Sequence, residues 1–310
     1  MPNQAVMNRG NFSLFCVTGA RKAYVLAKTK ATKHYEQLVE VINSSKRYEE
    51  ELIWGGLDVM PTKSEGTQMQ ELYAVTPSKR TYTPVGYGAF VRITHEMDKD
   101  DQYAQVRKIN ELLGRSGNLA VELAVAKLIN NANATTYNTC RDGLALASAA
   151  HVTYGDVGVD SNLGTVDISF TGIETAKIAI ELVEDEYGYP LFSPEDLKQF
   201  RLITHPNNQF ICQEILKTEK MPYSNENTIN SIRENGSGFH IDWATNPFLS
   251  DTAAFTLIAT QVPAFPIVFV WREKPLYDYD TDFLTKDLLF SEYQRFIPDI
   301  RDWRGLFFST

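Results

Sequence analysis

Cysteine is scarce: Cys16, Cys140 and Cys212 are the only three in 310 residues. They lie far apart, are odd in number and fall outside any C-x-x-C spacing, which excludes both a disulfide framework and a sequence-encoded zinc site and makes a reducing compartment the expectation. Long hydrophobic runs are missing too. The most apolar stretch, Phe265 to Trp271, is only of strand length and is interrupted by Pro266, so no membrane span is expected. Phe12 to Val17 is too short for the apolar region of a signal peptide, and Arg21 and Lys22 stand where a cleavage site belongs, so a soluble cytosolic chain is expected. An excess of basic charge is also absent. With a net charge of −9 the chain is poorly suited to gripping nucleic-acid phosphates, and only Arg21 to Lys33 forms a modest basic cluster.

The motifs of catalysis are lacking as well. The sequence contains no G-x-S-x-G elbow, no G-x-x-x-x-G-K-[ST] loop, no H-E-x-x-H helix and no full G-x-G-x-x-G fingerprint. Gly236-Ser237-Gly238 is the nearest to a dinucleotide loop, but Ile241 stands at the third glycine and an Asn-rich loop precedes it. Asp278, Asp280 and Asp282 alternate as the first calcium-loop ligands do. Phe283 replaces the required glycine and Leu289 the bidentate glutamate, so the loop fails. In a strand the same alternation sets three carboxylates on one face, suited to solvent or to a basic face elsewhere. The five histidines contain no i,i+4 pair. Neither a catalytic site, a cofactor nor a metal is expected.

What is present is size, 43% hydrophobic residues and one long periodic stretch, enough for a substantial core in one large or two modest domains. From Asp98 to Ala134, Val106, Ile109, Leu112, Leu113, Leu119, Leu123 and Leu128 recur at gaps that fit a helix, behind an acidic first turn of Asp98, Asp100 and Asp101. Such a rod is about 50 Å long. Gly114 and Gly117 sit inside it, where each costs about 1 kcal/mol relative to Ala, so a close neighbour or a bend is expected there. Met1 to Asn11 is polar and aperiodic, a loose arm, and Tyr35, Leu38, Val39 and Ile42 predict a short helix over Ala31 to Asn43. Tyr48 to Thr94 reads as a two-stranded excursion with a polar tip around Gly66, too poor in apolar residues to stand alone. Beyond an Asp142-Gly143 turn, helices over Ile173 to Glu186 and Asn207 to Lys217 alternate with strands at Phe200 to Thr204, Phe239 to Trp243, Ala254 to Ala259 and Ile267 to Trp271. This is an α/β cluster on a small sheet, followed by a long, extended, aromatic tail.

Blocks in fixed order carry a resemblance. They are Glu65-Gly66-Thr67, Thr81 to Gly88, Ile93 to Tyr103, Leu113-Gly114-Arg115, Asp142-Gly143-Leu144 with Ala149-Ala150-His151, Asn227 to Asn230, Asn246 to Asp251, Trp271 to Pro275 and Asp302 to Gly305. From about Tyr48 to Thr310 the chain resembles the major capsid proteins of tailed bacteriophages, close to the Mu-like major head subunits. Nothing before Tyr48 contributes.

The resemblance implies an α+β chain of the Hong Kong 97-type capsid fold: an N-terminal arm (1–47), an extended E-loop (48–97), a peripheral domain (98–164) with a spine helix (98–134), an axial domain (165–265) and return strands of the peripheral domain (266–310). It implies a structural subunit, not an enzyme, that assembles with itself as hexamers and pentamers into an icosahedral head. That head encloses double-stranded DNA without specific binding, and is assembled in the host cytoplasm. A separate scaffold protein, a portal and a decoration protein are the implied partners, and no membrane is involved. Candidate contacts between subunits are Lys63, Glu65, Gly66, Arg80, Asp278, Asp280, Asp282, Arg301, Trp303 and Arg304. The rival is an encapsulin-like compartment shell of the same fold.

Overall fold

The computed structural model describes residues 9–53, 56–74, 78–100, 103–137, 139–152, 158–220, 229–233 and 238–309. In chain order the elements are α1 (Arg9–Lys30), β1 (Glu40–Asn43), β2 (Glu49–Ile53), β3 (Ser78–Tyr82), β4 (Val85–Ile93), α2 (His95–Lys99), α3 (Tyr103–Asn130), β5 (His151–Val152), β6 (Val159–Asp160), β7 (Leu163–Gly164), α4 (Phe170–Glu181), β8 (Gln199–Thr204), α5 (Gln209–Lys217), β9 (His240–Thr245), β10 (Phe255–Ala259), β11 (Ile267–Thr281), β12 (Leu288–Ile300) and β13 (Leu306–Ser309). Two sheets organise them. One runs β1-β11-β12-β4 and the other β7-β13-β10-β8-β9.

The first sheet is built on the long antiparallel pair β11 and β12, with β4 added antiparallel to β12 and β1 parallel to β11. Leu288, Phe290, Glu292, Gln294 and Phe296 alternate to the buried face of β12, the period-2 signature of a half-covered strand. Helix α3 covers that face, and α1 lies along α3: Val17 and Ala20 join Val106, Leu113, Ile93, Leu288 and Phe290 in one cluster. The second sheet carries α4 and α5 through Ile173, Ala176, Ile180, Cys212, Ile215 and Leu216, which pack on Phe200, Leu202, Phe255 and Leu257. A core of Val121, Val125, Phe269, Trp271, Phe296, Ile258, Ile300 and Leu306 joins the two. No helix among the described residues is long and apolar enough to cross a membrane.

Several expectations need correcting. The long helix is not Asp98 to Ala134 but Tyr103–Asn130, about 42 Å. Thr94 caps a separate short helix before it, its hydroxyl accepting from Met97 N, and the Asn131 side chain donates to Lys127 O at the far end. Leu112, Leu119 and Leu123 of the supposed stripe are exposed, whereas Val106, Leu113, Val121, Val125 and Leu128 are buried. Of the loose arm expected over Met1 to Asn11, residues 1–8 lie outside the described residues, and α1 already begins at Arg9. Its contact with α3 runs partly through small residues, Gly114 meeting Tyr24 and Ala27, so the sequence marks its apolar stripe only weakly. Ala31 to Asn43 is a short 3-10 turn at Tyr35–Gln37 followed by strand β1, because its apolar residues feed the edge of the first sheet. The helix expected over Ile173 to Glu186 is Phe170–Glu181, capped by the Ser169 hydroxyl on Gly172 N. Gly188, at φ 82°, instead shapes the turn between Glu184 and Pro190. The tail divides: β11 and β12 form the first sheet, while β13 crosses to β10 in the second.

The glycines inside α3 do mark close approach. A Cβ on Gly117 would lie 1.9 Å from Glu292 Oε1, and Gln294 Nε2 donates to Gly117 O at 2.9 Å. Glu292 is buried and ion-paired with Lys28 of α1 at 2.5 Å, beside Tyr24. Burial raises the Glu292 pKa and lowers that of Lys28, each against the pull of its partner. One turn onward, Glu122 accepts from the His34 and Tyr35 amides at 2.8 and 3.1 Å and thereby fixes the segment leaving α1.

Gly117→Ala is therefore expected to lower the melting temperature despite Ala's helix propensity, with a net loss of about 1–3 kcal/mol, whereas Leu119→Ala at an exposed position changes it little. Thermal melts by circular dichroism check both. Burial pushes the Glu122 carboxyl from 4.5 up to about 7, the two amide bonds opposing it. With the folded value above the unfolded one, the stability linked to Glu122 is full below about pH 4.5 and is lost as pH rises towards 7. Relative to Glu122→Gln, the natural protein should lose melting temperature across that window and not beyond it.

Candidate functional site

The arm between β2 and β3 is the most exposed part of the described chain. At its tip Thr67 donates from both N and Oγ1 to Ser64 O, at 3.2 and 2.8 Å, and Gly66 takes φ 76°, a conformation that suits a residue without Cβ. Lys63 and Glu65 flank this turn and are exposed. Apolar side chains on the arm stand in solvent: Met60 is 85% exposed, Met69 78% and Tyr73 71%. Among the described residues nothing covers them, the Tyr73 hydroxyl alone reaching a neighbour, Glu71, at 2.9 Å.

The root of the arm is the opposite, a set of ion pairs. Arg301, itself buried, donates to Glu40 of β1 at 2.6 Å, to Glu51 of β2 at 2.9 Å and to Phe265 O at 3.0 Å. Tyr82 of β3 donates its hydroxyl to the same Glu51 at 2.8 Å. Arg80 reaches Asp299 at 2.8 Å and Thr139 O at 2.6 Å. Behind it the buried Glu186 accepts from Arg141 at 2.7 Å, Arg304 at 3.2 Å and Gly56 N at 3.1 Å. The returning limb rests on the same turn, Tyr187 donating to Tyr73 O at 3.0 Å. Burial raises the Glu186 pKa, but Arg141, Arg304 and the Gly56 amide outweigh it and keep the carboxylate charged.

The structure thus brings together four of the expected contact residues, Arg80, Arg301, Trp303 and Arg304, as anchors inside the protomer. Trp303 is buried and stacks on His151 with centroids 4.2 Å apart, and Arg304 is also held by Asp302 at 2.7 Å. Their charges and rings have partners within the chain. Lys63, Glu65 and Gly66 at the arm tip and Asp278 and Asp280 on β11 do remain exposed. Asp282 sits 3.5 Å from Arg92, and backbone bonds from Leu284 and Thr285 hold its carboxyl below the usual range. Sequence reasoning missed Glu186, Glu40 and Glu51, because each lies far in sequence from the arginine it meets.

The same geometry offers little for catalysis. His151 and Asp142 form a buried pair at 2.6 Å, yet the other ring nitrogen faces Leu146 O, and among the described residues no hydroxyl or thiol is hydrogen-bonded to the ring. Burial pushes the Cys140 thiol up and Cys212 to about 12, away from a reactive thiolate. No group of three or more potential metal ligands occurs among the described residues.

This two-sheet body with its long helices and projecting arm has the Hong Kong 97-like fold of phage capsid structures. Capsid subunits superpose on it. The mature capsid of bacteriophage PhiM1 does so with a TM-score of 0.58 at 11% identity, over 90% of this chain and 87% of that one. The capsid of cyanophage P-SCSP1u gives 0.58 at 11%, over 90% and 88%. A virus-like particle from Pyrococcus furiosus gives 0.51 at 11%, over 94% and 98%. At such identities the likeness is one of fold. No curated protein sequence matches the chain. The family model described as phage capsid protein matches residues 78–308, and the chain belongs to that family.

Arg301→Met removes the shared partner of Glu40 and Glu51 and should cost about 2 kcal/mol, less than a fully buried pair because both carboxylates retain some solvent. Limited proteolysis should then cut faster near β2. Arg80→Ala, which removes a more exposed guanidinium with a single carboxylate partner, should have a smaller effect on both readouts.

Proposed function

We propose that the chain is the major capsid protein of a tailed double-stranded DNA bacteriophage, of the Mu-like kind, and assembles as hexamers and pentamers into the icosahedral head. Membership of the capsid family supports the role. The observation that carries self-assembly is the arm of residues 56–74, whose exposed Met60, Met69 and Tyr73 have no cover among the described residues and are satisfied by lying across a neighbouring copy. On this reading residues 1–47 are the N-terminal arm, 48–97 the E-loop, 98–164 with 266–310 the peripheral domain and 165–265 the axial domain. The subunit is structural and carries no active site. Its net charge of −9 suits a lining that does not hold packaged DNA. A separate scaffold, a portal and a decoration protein complete the assembly, which takes place in the host cytoplasm before the subunit resides in the virion.

A shell of the same fold around another cargo is the second reading, favoured by the likeness to the Pyrococcus furiosus particle. Nucleic acid rather than protein inside purified particles separates the two.

Replacing residues 63–69 by a short Gly-Ser turn should leave protomer melting nearly unchanged, because the tip adds nothing to a core, while closed shells cease to form. Circular dichroism and negative-stain microscopy of one preparation, made with and without a candidate scaffold, test both halves. Normal closed particles from the shortened chain would refute the role of the arm, and an unaltered chain that sediments only as a monomer under every condition would refute self-assembly.

A further inference from the structure

Two features of opposite charge are left without partners. The first is a hollow along α1 where it meets α3, in two adjoining parts that share Ala23, Leu26 and Arg107. Its floor is apolar, with Val25 48% and Leu26 53% exposed, and its rim is formed by Arg21, Lys22, Lys30 and Arg107. Among the described residues none of these four cations has a carboxylate within ion-pair distance, and the one acid in the hollow, Glu111, is already held by Arg115 at 2.6 Å and Lys108 at 3.4 Å. In a chain of net charge −9, so local a positive surface points to an anionic occupant.

The second feature is the turn between β11 and β12. Asp278 and Asp280 are exposed on its approach, without a cation in ion-pair distance among the described residues, and their carboxylates cap only the following amides of Tyr279 and Thr281. At the turn itself Phe283 and Leu284 are 82% and 87% exposed, with the Lys286 ammonium 4.8 Å from the centre of the Phe283 ring. The turn is firmly built nevertheless: Asp282 N donates to Asp287 O at 2.9 Å and Lys286 N to Asp282 O at 2.9 Å. A rigid acidic hairpin with two apolar side chains at its end is the counterpart of a basic-rimmed apolar hollow.

We propose that the β11–β12 turn of one copy seats in the α1–α3 hollow of a second copy, Phe283 and Leu284 on the apolar floor and Asp278 and Asp280 against the basic rim. This rests on the self-assembly proposed above and names one of its contacts. The contact is heterologous, hollow to turn, so it repeats from copy to copy and closes into a ring where the rotation allows. A nucleic acid would use the cations but gain nothing from the apolar floor. An acidic helix of another protein would use both, but it would leave Phe283 and Leu284 uncovered.

Charge reversal tests the pairing. Asp278→Lys with Asp280→Lys, and separately Arg21→Glu with Arg107→Glu, should each reduce the particle yield at least tenfold, and the four changes in one chain should restore it. Unchanged yield from either double variant overturns the inference. So does a groove variant that fails and is not rescued by the reversed turn, the result expected if the occupant is nucleic acid or a partner protein. A second measurement does not depend on particles: Leu26→Cys with Leu284→Cys should give an oligomer ladder on a denaturing gel after a mild thiol oxidant, and neither single variant should. Absence of the ladder overturns the inference whatever the particles do. If the unaltered chain forms no particles but the ladder appears, the shell reading fails while this contact stands.

Discussion

A carboxylate buried in the middle of the structure dictates much of what surrounds it. Glu292 points from β12 into the space where α1 and α3 cross, and an ionised group there is tolerable only with a cation beside it. Lys28 supplies that cation from α1, which ties the first helix to β12 on the face that α3 covers. Gly117 leaves room for the carboxylate and Gln294 ties the strand to the helix at the same level. The pair contributes less to net stability than an apolar filling of similar volume would, yet it fixes which residues of three elements meet.

The protomer then divides into a part whose polar groups are satisfied internally and parts whose groups are not. Around the root of the arm Arg80, Arg141, Arg301 and Arg304 each have a carboxylate, and Glu51 and Glu186 take two and three donors. At the arm tip, the β11–β12 turn and the hollow along α1, exposed apolar groups lie next to charges. A subunit of a capsid has to be rigid where it is a building block and open where it meets its neighbours, and this distribution answers both requirements.

The sequence disclosed those features whose signal is local. The helical period of α3, the Asp142-Gly143 turn, the strands β8 to β10 and the exposed tip around Gly66 were legible, and the mid-helix glycines announced a close approach before its partner was known. Val85–Ile93, expected in the two-stranded excursion, instead joins the first sheet beside β12. What escaped notice depended on pairs distant in the chain. Helix α1 packs through Val17, Ala20, Tyr24 and Ala27, a stripe half of which is alanine and which the sequence therefore marks only weakly. Strand β1 took apolar residues spaced like those of a helix, because sheet-edge pairing with β11 decided the matter. Arg80, Arg301 and Arg304 looked free for a neighbour only because Asp299, Glu40, Glu51 and Glu186 come to them from other elements.

The two limbs of the arm are pinned at nearly the same place, Gly56 by Glu186 and Tyr73 by Tyr187. The residues between them therefore form a hoop with a fixed foot rather than a free tether. From that foot the tip can travel roughly 30 Å at full stretch, half of the intervening residues going out and half coming back. In the shell proposed above, the surface gripped by the tip lies inside this radius, so the length of the hoop acts as a ruler for the spacing of that lattice.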